Sequence, residues 1–391
     1  MQTRRLSDLD ALRGIAVAIV ILAHIPGNLL APARSWMPPF SSAFAVGVDI
    51  FFAISGFVIG RSLLPDLRRG MASGALWPAI RAFWLRRAKR LLPAAYLWLV
   101  IPCVLSLALG TSLFGTPQSV LQAAVAAMLD VFNALLAYRF LHQLYPGPLF
   151  HYWSLSLEEQ FYFAVPAVIL LPRRWLILAL LCAIPLICAT RGPYAGVFRF
   201  EELLSGLALA AFEDGGPRFS VLKKSFIRQR RFLPFVSLAL LLGVMQLDMG
   251  TLGAAFAPRW HLWLARLGIS AGSTLLVFLA ARDCGGLVGR GVVYRLLLGI
   301  GRRSYSIYLV HISAFFGTQE IMARLGIPEI AGGYTDALTL LIGLGLVTAF
   351  SEATYRLVER RAWRAHAFPA FSKVLLPGNI IAVSEPSEEK L

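Results

Sequence analysis

The chain has 391 residues, 58% of them hydrophobic and only 15% charged, a balance that excludes an ordinary soluble domain and fits a polytopic membrane protein. A formal net charge of +16 would point to nucleic acid in a soluble chain. In a membrane chain the basic loops that face the cytoplasm account for it, so no nucleic-acid partner is expected. The four cysteines, Cys103, Cys182, Cys188 and Cys284, have neither zinc-ligand spacing nor the pattern of a disulfide framework, and no metal is expected.

Segments apolar enough to span a bilayer read, in chain order, as 11–30, 44–61, 91–111, 152–172, 175–190, 194–213, 232–248, 260–281, 304–324 and 335–355. The first is flanked by Arg4, Arg5 and an Ala-Pro-Ala stretch at Ala31 to Ala33, as in a signal peptide. Asp8, Asp10 and Arg13 spoil that pattern, so a retained signal-anchor is expected. The stretch 118–138 is also apolar but lacks a basic flank, and counting it would invert every later loop. A re-entrant or interfacial helix on the outer side is expected there. The fold class is therefore all-α: a polytopic helical bundle of about ten membrane helices plus one such helix. It occupies 1–364, followed by a short cytoplasmic tail, 365–391, disordered at its end.

With the N-terminus inside, the inward segments hold thirty of the thirty-seven Lys and Arg residues. That asymmetry orients a multi-pass protein with both termini cytoplasmic. A Leu-, Ala- and Arg-rich chain of this kind suits a bacterial inner membrane.

Arg13 and His24 lie eleven positions apart on the first span, about three turns, so they share a face with Val17 and Val20 at a separation of roughly 17 Å. Counted at about 1.5 Å per residue from the inner surface, His24, Asp49, Glu158 and Arg199 all fall at roughly 18–21 Å. Ionisable groups at that depth must face the bundle interior or a cavity and pair with one another. An ion-pair lattice that merely fixes helix register is the alternative reading. A second polar face carries Ser304, Tyr308 and His311 at i, i+4 and i+7, fit either for interfacial anchoring or for function. Arg86, Arg87, Lys89 and Arg90 crowd the start of the third span. A topology signal needs no more than such a cluster, but Arg87 and Arg90 at i and i+3 can also clamp phosphates.

These motifs together resemble the acyltransferase-3 family of membrane proteins. The resemblance rests on LRGIAVAIVILAH (Leu12 to His24), GVDIFFAISGF (Gly47 to Phe57), RRAKRLLP (Arg86 to Pro93), WSLSLEEQFY (Trp153 to Tyr162), RFEELLSG (Arg199 to Gly206), SYSIYLVH (Ser304 to His311) and LVERRAWR (Leu357 to Arg364). Arg361 stands in the last motif where a proline is expected. The fused members of that family carry an extracellular esterase-like domain after the last span, and its lack among these motifs leads to the expectation of a stand-alone transferase. The resemblance implies transfer of an acyl group, most often acetyl, from cytoplasmic acyl-CoA to a hydroxyl of a cell-surface or secreted glycan, glycolipid or similar acceptor. The coenzyme is thus a donor substrate, not a bound cofactor. It also implies that Arg13 and His24 are the family's arginine–histidine pair, with the histidine catalytic, and that Arg87 and Arg90 belong to the donor site.

Acyl transfer to an alcohol needs a base, and an imidazole is matched to that work. His24 is the expected base and Glu158 its expected carboxylate partner, with Asp49 competing for that role. Arg199 is expected either to offset oxyanion charge or to pair with Glu202 one turn away. A covalent acyl-histidine relay is the variant mechanism. A transporter or flippase for a lipid-linked sugar would also need intramembrane charges, but no paired inverted halves are visible in the sequence.

Overall fold

Inside a bilayer every backbone N–H and C=O must be paired within the protein, and a helix does this without a neighbour. The computed structural model describes residues 6–30, 46–110, 113–190, 196–214, 237–242, 244, 259–282, 291–327 and 334–364, and among them there are helices and no strand. In chain order these are α1 Ser7–Asn28, α2 Val46–Ala72, α3 Leu76–Leu109, α4 Pro117–Met128, α5 Phe132–Leu141, α6 Tyr152–Ile169, α7 Arg173–Thr190, α8 Glu201–Glu213, α9 Arg259–Ala281, α10 Val292–Arg302, α11 Ser304–Arg324 and α12 Tyr334–Thr354. A π-helical turn, Tyr355–Glu359, joins α12 to the short α13, Arg360–Arg364. By length and composition α1, α2, α3, α7, Leu262–Ala281 of α9 and the run Tyr334–Ala362 can each cross a membrane. The chain is an all-α, multi-pass membrane protein. Most of the expected span 232–248, the Ala31 to Ala33 stretch and the tail 365–391 lie outside the described residues.

Helix α3 begins well before the expected 91. At 34 residues it is about 51 Å long, against roughly 30 Å of hydrocarbon. The basic cluster at Arg86–Arg90 therefore rides on a helix longer than the apolar layer is thick, and residue 91 is where the apolar run begins, not where the helix starts. The stretch 118–138, expected as one helix, is a hairpin of two, each too short to span. Asp130 breaks it with φ 55°, and α6 staples the break. Gln160 Nε2 donates to the Asp130 carbonyl at 2.6 Å, and the Phe132 N–H donates to Ser156 Oγ at 3.3 Å.

The expected span 194–213 is helical only from Glu201, because Arg199 Nε donates to the Gly196 carbonyl at 2.8 Å and holds 196–200 as a loop. The segment 282–303, which separates two of the expected spans, contains α10. This helix buries Tyr294 and Gly301 while Val292, Val293 and Leu296 stay exposed, as on a helix lying at an interface.

Small residues set the packing. A Cβ at Gly206 would strike the Ala53 carbonyl and the Phe57 amide, and one at Gly56 would strike the Leu203 carbonyl. Helices α2 and α8 thus touch backbone to backbone, the packing expected where van der Waals contact replaces the hydrophobic effect in lipid. Gly301 of α10 likewise sits against the Asp10 carbonyl of α1, fixing α10 beside the N-terminal end of the first helix.

Candidate active site

Helix α1 loses its regular geometry just past His24. Pro26 has no N–H to give the preceding turn, Gly27 adopts φ 82°, and the Gly27 N–H turns instead to the Leu30 carbonyl at 2.7 Å. His24 therefore occupies the last intact turn and is half-buried. Its Nδ1 lies 2.9 Å from the Val20 carbonyl and 3.2 Å from Nε2 of His311. His311 is fully buried on α11, its own Nδ1 2.7 Å from the Tyr308 carbonyl.

A carbonyl can only accept, so each ring nitrogen facing one carries the proton. His311 is then Nδ1–H with a lone pair on Nε2, and His24 is Nδ1–H with a lone pair on its own Nε2. The carboxylate expected beside His24 is replaced by an imidazole.

The two carboxylates considered for that place are engaged elsewhere. Glu158 accepts from the hydroxyls of Ser55 and Tyr162. Asp49, 1% exposed, takes the Arg199 guanidinium on both oxygens at 3.0 Å, so the hydrogen-bonded partner of Arg199 lies across on α2 and is not Glu202, its neighbour in sequence. Glu202 is itself buried on α8. The depth layer read from the sequence therefore resolves into separate pairs, because helix rotation decides which groups at one depth meet. A third imidazole, His151, stands with its ring 5.3 Å from that of His311 and is 1% exposed. Sequence reasoning missed it. It lies just before the start of an expected span among aromatic residues, where a polar side chain reads as interfacial, and no periodic pattern points to it.

One turn back along α11, the Tyr308 hydroxyl donates to the His151 carbonyl at 3.0 Å and lies 2.5 Å from Ser154 Oγ. Tyr308, Ser154 and Ser304 line a cavity of about 420 Å³, whose walls also include Arg13, Arg87, Arg90, Glu158, Arg302 and Arg360. Arg13 pairs with Asp10 at 3.0 Å. Arg87 stacks over Phe83 and Tyr162, its guanidinium carbon 5.9 and 5.3 Å from the ring centres. The structure thus brings the expected Arg13, Arg87 and Arg90 around one cavity. The polar face of α11 runs from that cavity, through Ser304 and Tyr308, to His311 at His24. Among the described residues no cluster of His, Cys, Asp and Glu is arranged to hold a metal ion.

This arrangement can bind an anionic ligand among guanidiniums and present a neutral imidazole base beyond it. Comparison with known proteins agrees with such chemistry. Residues 6–356 match the family model described as an acyltransferase domain. The chain is 28% identical over 330 residues, covering 78% of it and 48% of the relative, to the peptidoglycan O-acetyltransferase OatA of Listeria monocytogenes. It is 27% identical over 398 residues to the provisionally named peptidoglycan O-acetyltransferase YrhL of Bacillus subtilis, covering 95% of the chain and 56% of the relative. A provisionally named O-acetyltransferase of Staphylococcus aureus is 25% identical over 408 residues, with 95% and 61% covered. The chain thus spans about half to three-fifths of the length of these relatives. No solved structure matches it. With seven ordered motifs, an all-α membrane fold and a family match over nearly its whole length, the chain belongs to the acyltransferase-3 family.

Proposed function

We propose that this protein moves an acetyl group from cytoplasmic acetyl-CoA to a hydroxyl of a cell-envelope glycan, with peptidoglycan the first acceptor to test. The Listeria relative named for peptidoglycan supports the acceptor class, and the guanidinium-lined cavity supports a phosphorylated donor. The observation that carries the reading is the contact between His24 Nδ1 and His311 Nε2 at 3.2 Å, at the end of the polar face that leads out of that cavity.

In this mechanism the nucleotide end of the donor sits among Arg13, Arg87 and Arg90, on the side oriented to the cytoplasm. The thioester reaches toward His24 over roughly the 17 Å that separate Arg13 from His24. The acceptor hydroxyl enters from outside. His24 Nε2 takes the hydroxyl proton as oxygen attacks the thioester carbonyl. The tetrahedral intermediate then expels the thiolate, which receives that proton from the imidazolium. The Val20 carbonyl and His311 Nε2 share the His24 Nδ1–H, holding the ring in the tautomer whose Nε2 is the base, with His311 in the place a carboxylate takes in Ser-His-Asp triads. Glu158 and the Asp49–Arg199 pair act by shaping the cavity and the bundle.

The test is transfer of radiolabelled acetyl from acetyl-CoA to envelope glycan in membranes carrying the variants, with protein amount matched. General-base catalysis is worth about 10²–10⁴-fold, so His24→Ala is expected to lose at least about a hundredfold. His311→Ala should lower kcat at an unchanged donor KM, and His311→Gln, which keeps an acceptor, should regain part of the loss. Equal labelling by wild type and His24→Ala removes His24 as the base. No labelling from any acyl-CoA removes the donor assignment.

A further inference from the structure

The cavity gathers five guanidiniums from four separate elements: Arg13, Arg87, Arg90, Arg302 and Arg360. Of its carboxylates, Asp10 pairs with Arg13, Glu158 accepts from two hydroxyls, and Glu359 accepts from the Ser306 hydroxyl and is attracted to Arg90, so none of these is paired with Arg302 or Arg360. Arg87 is held by its stacking on two rings, which leaves the N–H edge of the guanidinium to face a ligand. Beyond the Arg87 and Arg90 pair on α3, two more guanidiniums reach the same cavity from different elements. Arg302 comes from the end of α10 and Arg360 from the start of α13. Both are exposed, and neither makes an ion pair with a described residue.

Their placement follows from two local devices. Gly301 packs on the Asp10 carbonyl, which brings the last residue of α10 to the mouth beside Arg13. The π-helical turn is closed by the Arg360 N–H donating to the Tyr355 carbonyl, five residues back. In a regular α-helix residue i+5 falls about 140° around from residue i. The wider turn returns Arg360 toward the face of Tyr355 and Glu359, so that all three line the cavity. Such turns are rare and concentrate at functional sites.

We propose that Arg302 and Arg360 form a second anion subsite that binds the 3′-phosphate of the nucleotide, which makes the donor a free coenzyme A thioester and not a phosphopantetheine thioester carried on a protein. This rests on the acyl-CoA reading above and adds a specificity to it. A pyrophosphate is matched by the fork of Arg87 and Arg90. A separate pair of guanidiniums is explained by a second phosphate, which coenzyme A carries on its ribose and a carrier-bound phosphopantetheine lacks.

The experiment measures equilibrium binding of coenzyme A and of dephospho-coenzyme A to the full chain in nanodiscs of zwitterionic lipid, where anionic headgroups do not compete. Wild type is expected to prefer coenzyme A by about tenfold or more, the scale of charge-assisted contacts to one phosphate. Arg302→Gln with Arg360→Gln should bind dephospho-coenzyme A as wild type does and lose the preference. Arg361→Gln, exposed but outside the cavity lining, should keep it, and matched thermal unfolding checks the fold of each. Equal binding of the two nucleotides by wild type overturns the subsite while the donor reading stands, and so does a preference that survives in the double variant. If wild type binds neither nucleotide, the donor reading itself fails and the subsite with it.

Discussion

The Asp49–Arg199 pair separates a structural role from a catalytic one. The carboxylate side chain is 1% exposed and the guanidinium 13%, with both carboxylate oxygens at 3.0 Å from one guanidinium nitrogen. Asp49→Asn leaves Arg199 buried without its hydrogen-bonded counter-charge, and Arg199→Gln takes the cation from Asp49. Breaking a buried pair from one side costs about 3–5 kcal/mol. Removing both charges together spares Asp49 and Arg199 an uncompensated ion, although the buried Glu201 and Glu202 still lose the attraction of Arg199, so the double variant is expected to be more stable than the sum of the singles by about 2–3 kcal/mol. Denaturant unfolding in mixed micelles gives the four stabilities, and acetyl transfer on the same samples gives the four activities. Our reading expects the double variant to recover both together, because the pair only ties α2 to the loop before α8. A double variant that is stable yet inactive would assign Asp49 or Arg199 to the chemistry. Single variants within about 0.5 kcal/mol of wild type would refute the buried-pair reasoning itself.

Gly206→Ala should destabilise the protein by about 1–3 kcal/mol, since its Cβ meets the α2 backbone, whereas Gly317→Ala on α11, with open space at its Cβ, should be neutral or gain up to about 1 kcal/mol from helix propensity. Equal unfolding midpoints for the two would contradict the backbone contact between α2 and α8. Asp130, in the turn between α4 and α5, is pushed up to about 6 by burial. A folded-state value above the ordinary 3.9 or so means the folded chain holds that proton more tightly. The stabilising contribution is whole below about pH 4 and is lost as pH rises through about 6. Asp130→Asn keeps a residue that tolerates positive φ, so it should unfold like wild type at pH 4 and at a higher temperature than wild type at pH 8. A gain of the same size at both pH values would show that Asp130 does not titrate.

The sequence by itself determined the fold class and singled out most of the ionisable residues that the structure gathers around the cavity and His24. Long apolar segments require helices in lipid, and their few ionisable residues stand out because each is costly there. Only the family resemblance attached a donor role to Arg13, Arg87 and Arg90, while the pair Arg87 and Arg90 was itself legible because charge clustering and i, i+3 spacing are local properties of one helix. His24 was legible for the same reason, as a lone imidazole deep in a span. What depth along a helix cannot give is rotation about its axis. His24, Asp49, Glu158 and Arg199 share a layer by rise per residue, yet the packed bundle turns Asp49 to Arg199, Glu158 to Ser55 and Tyr162, and His24 to His311. Those pairings depend on which helix faces touch, and glycines such as Gly206 and Gly301 set that only when the partner backbone arrives. His151 and the inward turn of Arg360 also belong to tertiary structure. The first is held beside His311 by the Tyr308 hydroxyl, which donates to the His151 carbonyl, and the second by a π-turn whose extra residue leaves no mark in the hydrophobic pattern.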